Sequence, residues 1–394
     1  MKKKIALYTS TRADYGLLKP LIARLILLNS FDVRIFATGT HLEKDFGFTI
    51  TEIEKDFPQN IFYRVQQSMQ EDPQLKNLLI MGEAIQKYAE ALVADKPDIA
   101  VILGDRYEAL CFGIVCSSLS IPIIHLHGGE LTLGAMDDKF RHCLTKLSEW
   151  HFVACEDYRR RAIQLGEAPD TVFNVGALGV DNALHQKLMS INELEADLGI
   201  QFPRETYLFT FHPETNSKDY GAGLLNVFLK QLEDRIKSQK ALVIITGVNS
   251  DPGSGAIKGI VAEFQARFPT GKQVLFKESL GLTRYLSVMK VAMAVLGNSS
   301  SGILESFSMR TPSVNIGTRQ EGRIRESSVI DLYSEQDCSD FDFNQLLTLK
   351  GAMAKATNHK SIFGDGQTSA LMADEIAHIL QKPALKNKIF FDQK

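Results

Sequence analysis

Two apolar runs of this chain each end in a carboxylate. Residues 100–103 (Ala-Val-Ile-Leu) lead into Gly104-Asp105-Arg106-Tyr107-Glu108, and residues 121–126 lead into His127-Gly128-Gly129-Glu130. Asp137 and Asp138 follow in the same loop as Glu130. Carboxylates at the ends of rigid elements can take up and return protons, so Asp105, Glu130, Asp137 and Asp138 are candidate acid and base groups. Asp137 and Asp138 also open a helical pattern, where acids favour the positive helix end for reasons unconnected with chemistry.

Anion-binding chemistry is written elsewhere. Arg12, in Thr9-Ser10-Thr11-Arg12-Ala13-Asp14-Tyr15-Gly16, sits where a strand passes into a helix, so hydroxyls, backbone N–H groups and a guanidinium could hold a phosphate. An ordinary capped helix is the plainer reading of the same residues. Gly297-Asn298-Ser299-Ser300-Ser301-Gly302 repeats this logic, with Ser299, Ser300, Ser301 and Gly302 as a diphosphate cradle and Glu305 one turn on to accept ribose hydroxyls. A serine-to-glutamate capping box is its plainer reading. His212, held extended by Pro213, can contact phosphate or transfer a proton, and Arg319 and Arg323 could close on a phosphate from a loop. His125, His127, Glu130 and His142 raise the alternative of a metal, but neither a His-Glu-x-x-His helix nor a Cys/His array accompanies them, and no metal or cofactor is expected.

Short Val/Ile/Leu runs bounded by glycine read as strands buried on both faces of a parallel sheet. Strand patterns at residues 5–9, 32–37, 99–103, 121–126 and near 152 and 172 alternate with helical patterns at 15–28, 74–94, 106–119 and 139–147. A second series has strands at 207–211, 242–246, 274–276, 292–296 and 313–316. The expected fold class is therefore α/β, with two Rossmann-like doubly wound domains facing a cleft. Their expected bounds are 1–176, carrying the acids, and 177–368, carrying the anion sites. A hinge is expected over 175–199, and a terminal helix and tail over 369–394 that packs back across it.

Composition narrows the partners. With 394 residues and 44% hydrophobic content the chain can bury two cores, and its length favours two domains. A net charge of -3 leaves no basic excess for nucleic acid or an anionic membrane, so any anion site must be local. Lys2, Lys3 and Lys4 precede an apolar stretch that Arg12 and Asp14 interrupt too soon for a secretion signal, and no run reaches membrane-spanning length. The five cysteines show no zinc spacing and read as buried free thiols of a cytoplasmic protein.

Taken together these motifs resemble the hydrolysing UDP-N-acetylglucosamine 2-epimerases of sialic acid biosynthesis. The resemblance runs through Ser-Thr-Arg-Ala-Asp-Tyr-Gly at 10–16, Gly-Asp-Arg-Tyr-Glu at 104–108, His-Gly-Gly-Glu at 127–130, Arg-His at 141–142 and Phe-His-Pro-Glu-Thr at 211–215. It continues through Gly-Asn-Ser-Ser-Ser-Gly at 297–302 and Gly-Thr-Arg-Gln at 317–320. It implies the two-domain GT-B fold, a UDP-sugar substrate, and release of UDP with N-acetylmannosamine. The family's acids fall on Asp105, Glu130 and Asp138 with Asp137 adjacent, and its phosphate and uridine contacts on Arg12, His212, Ser300, Ser301, Glu305 and Arg319. A homodimer or homotetramer is implied, with no cofactor.

Carbon 2 of such a sugar has no adjacent carbonyl, so its proton becomes acidic only as the bond from carbon 1 to UDP loosens. Donors must therefore stabilise the departing diphosphate while a carboxylate removes the proton, giving a 2-acetamidoglucal. Water then adds at carbon 1 as carbon 2 is reprotonated from the opposite face. A hydrolysing enzyme for a 2,4-diacetamido sugar nucleotide, a non-hydrolysing 2-epimerase and a GT-B glycosyltransferase are the alternative readings. A sugar-nucleotide sensor is disfavoured by acids placed where they would repel an anionic ligand.

Overall fold

The computed structural model describes residues 2–44, 47–65, 76–249, 251–268, 272–357, 359–382 and 388–393. Its residues group into two compact units. The first comprises Met1–Glu130, Asp137–Asp181 and Gly366–Lys394, and the second Leu131–Met136 and Asn182–Asp365. These bounds depart from the expected cuts at 176 and 368. The first cut falls inside the helix Leu178–His185 instead, and the segment expected as a hinge is largely helical, with a second helix at Ile191–Leu198. The expected helical start at residue 74 lies outside the described residues; the helix there is Lys76–Ala94.

The first unit is built on a parallel sheet of seven strands: β1 (Lys3–Thr9), β2 (Phe31–Thr38), β3 (Ile61–Val65), β4 (Ile99–Leu103), β5 (Ile123–Leu126), β6 (Trp150–Val153) and β7 (Val172–Asn174). Their order is β3-β2-β1-β4-β5-β6-β7. Ile5, Leu7, Val101, Ile124 and Phe152 bury one face against the helix Arg12–Leu27 and the terminal helix Thr368–Gln381, through Leu18, Ile22, Met372 and Ile376. Tyr8, Phe36, Ala100, Ile102 and Ile123 bury the other face under Tyr88, Phe112 and Val115. That double burial is why β4 and β5 are nearly continuous apolar runs. The terminal helix belongs to this unit: the Asp181 carboxylate accepts the Thr368 and Ser369 N–H groups at 2.9 and 2.6 Å, stabilising the positive end of that helix.

The second unit carries six parallel strands, β8 (Thr206–Thr210), β9 (Leu242–Thr246), β10 (Val274–Lys277), β11 (Ala294–Gly297), β12 (Ser313–Ile316) and β13 (Val329–Leu332), in the order β10-β9-β8-β11-β12-β13. Phe209, Phe228, Val243 and Leu296 lie in its larger core, and Leu208, Ile244, Leu286 and Val295 in the core of the opposite face. In both sheets the strand order reverses beside the first strand, between β1 and β4 and between β8 and β11. Open α/β sheets hold ligands at the carboxyl ends of such switch points. The Ser10–Arg12 and Gly104–Asp105 turns follow one pair; the His212 and Asn298 turns follow the other.

Cys111, Cys116, Cys155 and Cys338 are buried free thiols, whereas Cys143 is exposed, contrary to the reading of all five as buried. No described helix is long and apolar enough to cross a membrane.

Two histidines of the first unit make its stability depend on pH. His41 lies between Thr9 Oγ1 at 2.9 Å and Thr49 Oγ1 at 2.8 Å, and His125 between Thr145 Oγ1 and the Gly104 carbonyl. Burial, helped by the Arg12 charge, lowers His41 to about 4. Burial lowers His125 to about 3. Both therefore stay neutral when folded, while an unfolded histidine takes up a proton near pH 6.5. Their contribution is complete above that value and is lost as pH falls towards 4, at about 1.4 kcal/mol per histidine per pH unit. Urea midpoints should drop steeply between pH 6 and 4.5, and His125→Gln should flatten the slope by about one proton's worth.

Candidate active site

The acids of the first unit are gathered by one buried cation. Arg141, on the helix Asp137–Leu147, is 1% exposed. Its guanidinium donates to Asp105 Oδ2, to Asp138 Oδ1 at 3.4 Å and to the Glu130 carbonyl at 3.1 Å. Asp105 comes from the turn after β4, Glu130 from the turn after β5 and Asp138 from the first turn of the helix, so three separate segments are held by a single planar fork. Asp137 begins the same helix. The sequence motif contained Arg141, but its organising role was not read from it. That role shows only once the fold buries the side chain.

Glu130 is 1% exposed and its Oε1 lies 2.7 Å from His127 Nδ1. The turn that brings these two together is tight. His127 has φ +64°, and Gly129 has φ +74° with a Cβ position that would land on the Tyr158 carbonyl, so position 129 admits only glycine. His125 points elsewhere, tying the end of β5 to Gly104. The metal alternative for His125, His127, Glu130 and His142 is not assembled: among the described residues no group of three or more His, Cys, Asp or Glu is disposed to hold an ion.

Arg12 opens its helix beside a complete capping box. Thr11 Oγ1 accepts from the Asp14 N–H at 3.2 Å, and the Asp14 carboxylate accepts from the Thr11 N–H at 3.1 Å and from the Ser10 hydroxyl at 3.0 Å. The plainer reading thus holds for the backbone of this turn. An Asp14 oxygen also takes the Ser10 N–H, at 3.4 Å.

In the second unit Asn298 is the organiser. It is fully buried at the end of β11; its Oδ1 accepts the His212 N–H at 2.7 Å and its Nδ2 donates to the His212 carbonyl at 2.8 Å. This reciprocal pair bridges the switch point between β8 and β11. Its own carbonyl accepts from Arg319 at 3.4 Å and Gln320 at 2.9 Å, which draws the 317–320 turn to the same place. Glu214 fixes that turn by accepting the Thr318 N–H at 2.7 Å and hydroxyl at 3.0 Å. Gly297 makes the approach possible: at φ +115°, a Cβ there would strike the Thr210 carbonyl.

His212 Nδ1 accepts the Asn249 N–H at 3.2 Å, which places the ring proton of a neutral imidazole on Nε2 and makes that atom a donor. The serine loop departs from expectation. Only one helical turn, Ser301–Leu304, follows it; its N-cap, Ser300, makes no side-chain cap bond, and the Ser301 hydroxyl bonds to Tyr285 and lies 3.2 Å from Ser299 Oγ. Gly302 lies within that turn, and Glu305 ends it, one turn on from the serines. His212, the serines and Arg319 are brought together; Arg323 lies further along the same loop.

Comparison with known proteins agrees with this geometry. The sequence profile of the UDP-N-acetylglucosamine 2-epimerase family matches residues 26–377. A GDP/UDP-N,N'-diacetylbacillosamine 2-epimerase (hydrolyzing) from Campylobacter jejuni is 39% identical over 345 residues, 88% of either chain. The polysialic acid biosynthesis protein P7 of Escherichia coli is 35% identical, covering 85% of this chain and 84% of its own. The crystal structure of a UDP-GlcNAc 2-epimerase from Neisseria meningitidis bound to UDP-GlcNAc superposes with a TM-score of 0.78 at 19% identity, over 95% of this chain and all of that one. It shares the fold of two parallel-sheet α/β domains, the GT-B type. With two switch-point sheets, an acid cluster on one and a histidine–serine–arginine cluster on the other, and a profile match over most of its length, the chain belongs to the UDP-N-acetylglucosamine 2-epimerase family.

Proposed function

We propose that the protein is a hydrolysing 2-epimerase of a UDP-2-acetamido sugar, releasing UDP and the free sugar inverted at carbon 2. The observation that carries this reading is the Arg141 cluster, which holds Asp105 and Asp138 beside the Glu130 turn. Removing and returning a proton on opposite faces of a ring needs more than one proton-carrying group. In this reading the first unit supplies proton transfer through Asp105, Glu130, Asp137 and Asp138. The second binds UDP through His212, Ser299, Ser300, Ser301, Gly302, Glu305 and Arg319, with Arg12 adding a cation. The Nε2 proton of His212 favours a phosphate-donor role over that of a base. No cofactor is required: the leaving diphosphate is stabilised by hydrogen-bond donors, and elimination gives a 2-acetamidoglucal that water then attacks.

Two substrates are to be tested. The motifs at 127–130 and 211–215 fit the hydrolysing branch for either substrate, and the resemblance of the motifs taken together favours UDP-N-acetylglucosamine giving N-acetylmannosamine. The 39% identity to a diacetylbacillosamine epimerase favours a 2,4-diacetamido sugar. Purified protein offered each UDP-sugar in heavy water should release UDP and a free sugar carrying deuterium at carbon 2, read by NMR. Free product without deuterium would refute the elimination, and exchange with UDP still attached would make the enzyme non-hydrolysing. We assign the enzyme to the cytoplasm on its free thiols and its proposed nucleotide-sugar substrate, and propose a homodimer or homotetramer on the family resemblance alone.

Nucleotide affinity provides a separate check. Hydrogen bonds to charged groups contribute about 1.5–3 kcal/mol, so Ser301→Ala should weaken UDP binding by calorimetry about 10- to 100-fold. Asn298→Ala, which touches His212 and Arg319 through its own bonds, should weaken it comparably without removing a phosphate donor. Unchanged affinity in both variants would remove the second unit's assignment.

A further inference from the structure

We infer that His127, rather than Glu130, is the base that removes the carbon 2 proton, with Glu130 as its positioning residue. The inference rests on the 2-epimerase reading above and deepens it. His127 is 6% exposed, and its Nε2 is buried with no hydrogen-bond partner among the described residues. Its other nitrogen lies 2.7 Å from Glu130 Oε1. A carboxylate oxygen only accepts, so Nδ1 carries the ring proton, and in the neutral imidazole Nε2 is left with a bare lone pair. A histidine oriented through one nitrogen by a buried carboxylate, with the other nitrogen unsatisfied, is the arrangement of an activated general base.

The backbone supports this. His127 adopts φ +64°, a left-handed conformation uncommon outside glycine, in the turn directly after β5. It is held there by its N–H on the Phe152 carbonyl at 2.8 Å and by the Gly129 turn. A left-handed backbone and an unsatisfied buried polar atom at one residue are a combination that functional positions favour. His151 shows the same pairing, with Nε2 2.9 Å from Glu167 and Nδ1 buried without a partner among the described residues, but it lies inside β6; His127 stands in the turn at the carboxyl end of β5, the turn that carries Glu130.

The step balances as follows. Nε2 takes the carbon 2 proton, the C–H electron pair becomes the second bond between carbons 1 and 2, and the C–O pair leaves with UDP. The imidazolium is stabilised by the Glu130 carboxylate on Nδ1–H. Water then gives its hydroxyl to carbon 1, an acid on the opposite face gives a proton to carbon 2, and the water's remaining proton restores that acid. The imidazolium proton passes to solvent, matching the extra negative charge on free UDP.

The test uses two variants and one spectrum. Asparagine tolerates the left-handed backbone and can keep a hydrogen bond to Glu130 while lacking the distal nitrogen. His127→Asn should therefore lower turnover about 100- to 10,000-fold with UDP affinity within about threefold of wild type. His127→Gly relieves the backbone and opens a slot, so added imidazole should restore turnover saturably, which a packing role would not allow. Nitrogen-15 spectra of histidine-labelled protein, with the His127 signal identified by its loss in His127→Asn, should show the Nδ1–H tautomer. A His127→Asn rate near wild type, a folded His127→Gly that imidazole does not rescue, or an Nε2–H tautomer would each overturn the inference. The tautomer is read without turnover. A wild type inactive on every UDP-sugar but showing Nδ1–H would therefore count against the activity reading and not against the His127–Glu130 pair.

Discussion

Asp138→Asn should turn over its UDP-sugar about 100- to 10,000-fold more slowly than wild type while binding UDP almost as well. Asparagine keeps the size of the side chain and an oxygen within reach of Arg141, so the fold is preserved and the ability to carry a proton is lost. Glu130→Gln should fall in the same range, since it either removes a proton carrier or uncouples His127 from its carboxylate. The fall should appear in kcat with KM nearly unchanged, because neither side chain belongs to the unit assigned to UDP. Rates within threefold of wild type in both variants would remove these residues from the chemistry.

The second large effect is on stability. Arg141→Met should cost about 3–5 kcal/mol, the usual result of removing one partner from a buried ion pair. Asp105 and Asp138 would lose their shared cation and the Glu130 carbonyl would lose a donor. Urea unfolding measures this directly, and a loss below about 1 kcal/mol would mean that solvent already satisfies the carboxylates. Arg141→Lys separates charge from geometry. An ammonium cannot reach three acceptors from one plane, so stability should be partly retained while turnover falls.

The strands that hold these groups were legible wherever burial on both faces imposed a continuous apolar run. Residues 242–246 and 313–316 were read with the bounds that β9 and β12 show. β13 was missed because Asp331 interrupts it; that acid is kept in a strand by Asn315, on the neighbouring strand, at 2.7 Å and by the Arg325 guanidinium at 3.1 Å, contacts that no period-2 pattern shows. β3 was missed for a related reason, as an edge strand of five residues containing Arg64.

Within the site, chemistry-bearing types could be read from their spacing, and their organisers could not. Arg141 and Asn298 act by satisfying backbone and side-chain groups from distant segments, which only the folded chain brings within reach. The capping of Arg12's helix is of the same kind: the Ser10 and Thr11 N–H groups are taken by the Asp14 carboxylate, which the order of residues allows but does not dictate.

The way the chain is partitioned limits how the protein can be taken apart. The polypeptide changes unit after Glu130, after Met136, after Asp181 and after Asp365, and the hexapeptide Leu131–Met136 is bonded to the second unit at Thr215, Asn216 and Glu321. A gene truncated at codon 181 would encode a first unit lacking its terminal helix and carrying six residues that belong elsewhere. The remaining fragment would be a second unit lacking those six. Neither unit is therefore a transplantable cassette, and exchanging nucleotide-binding halves between relatives would require splicing at all four junctions together.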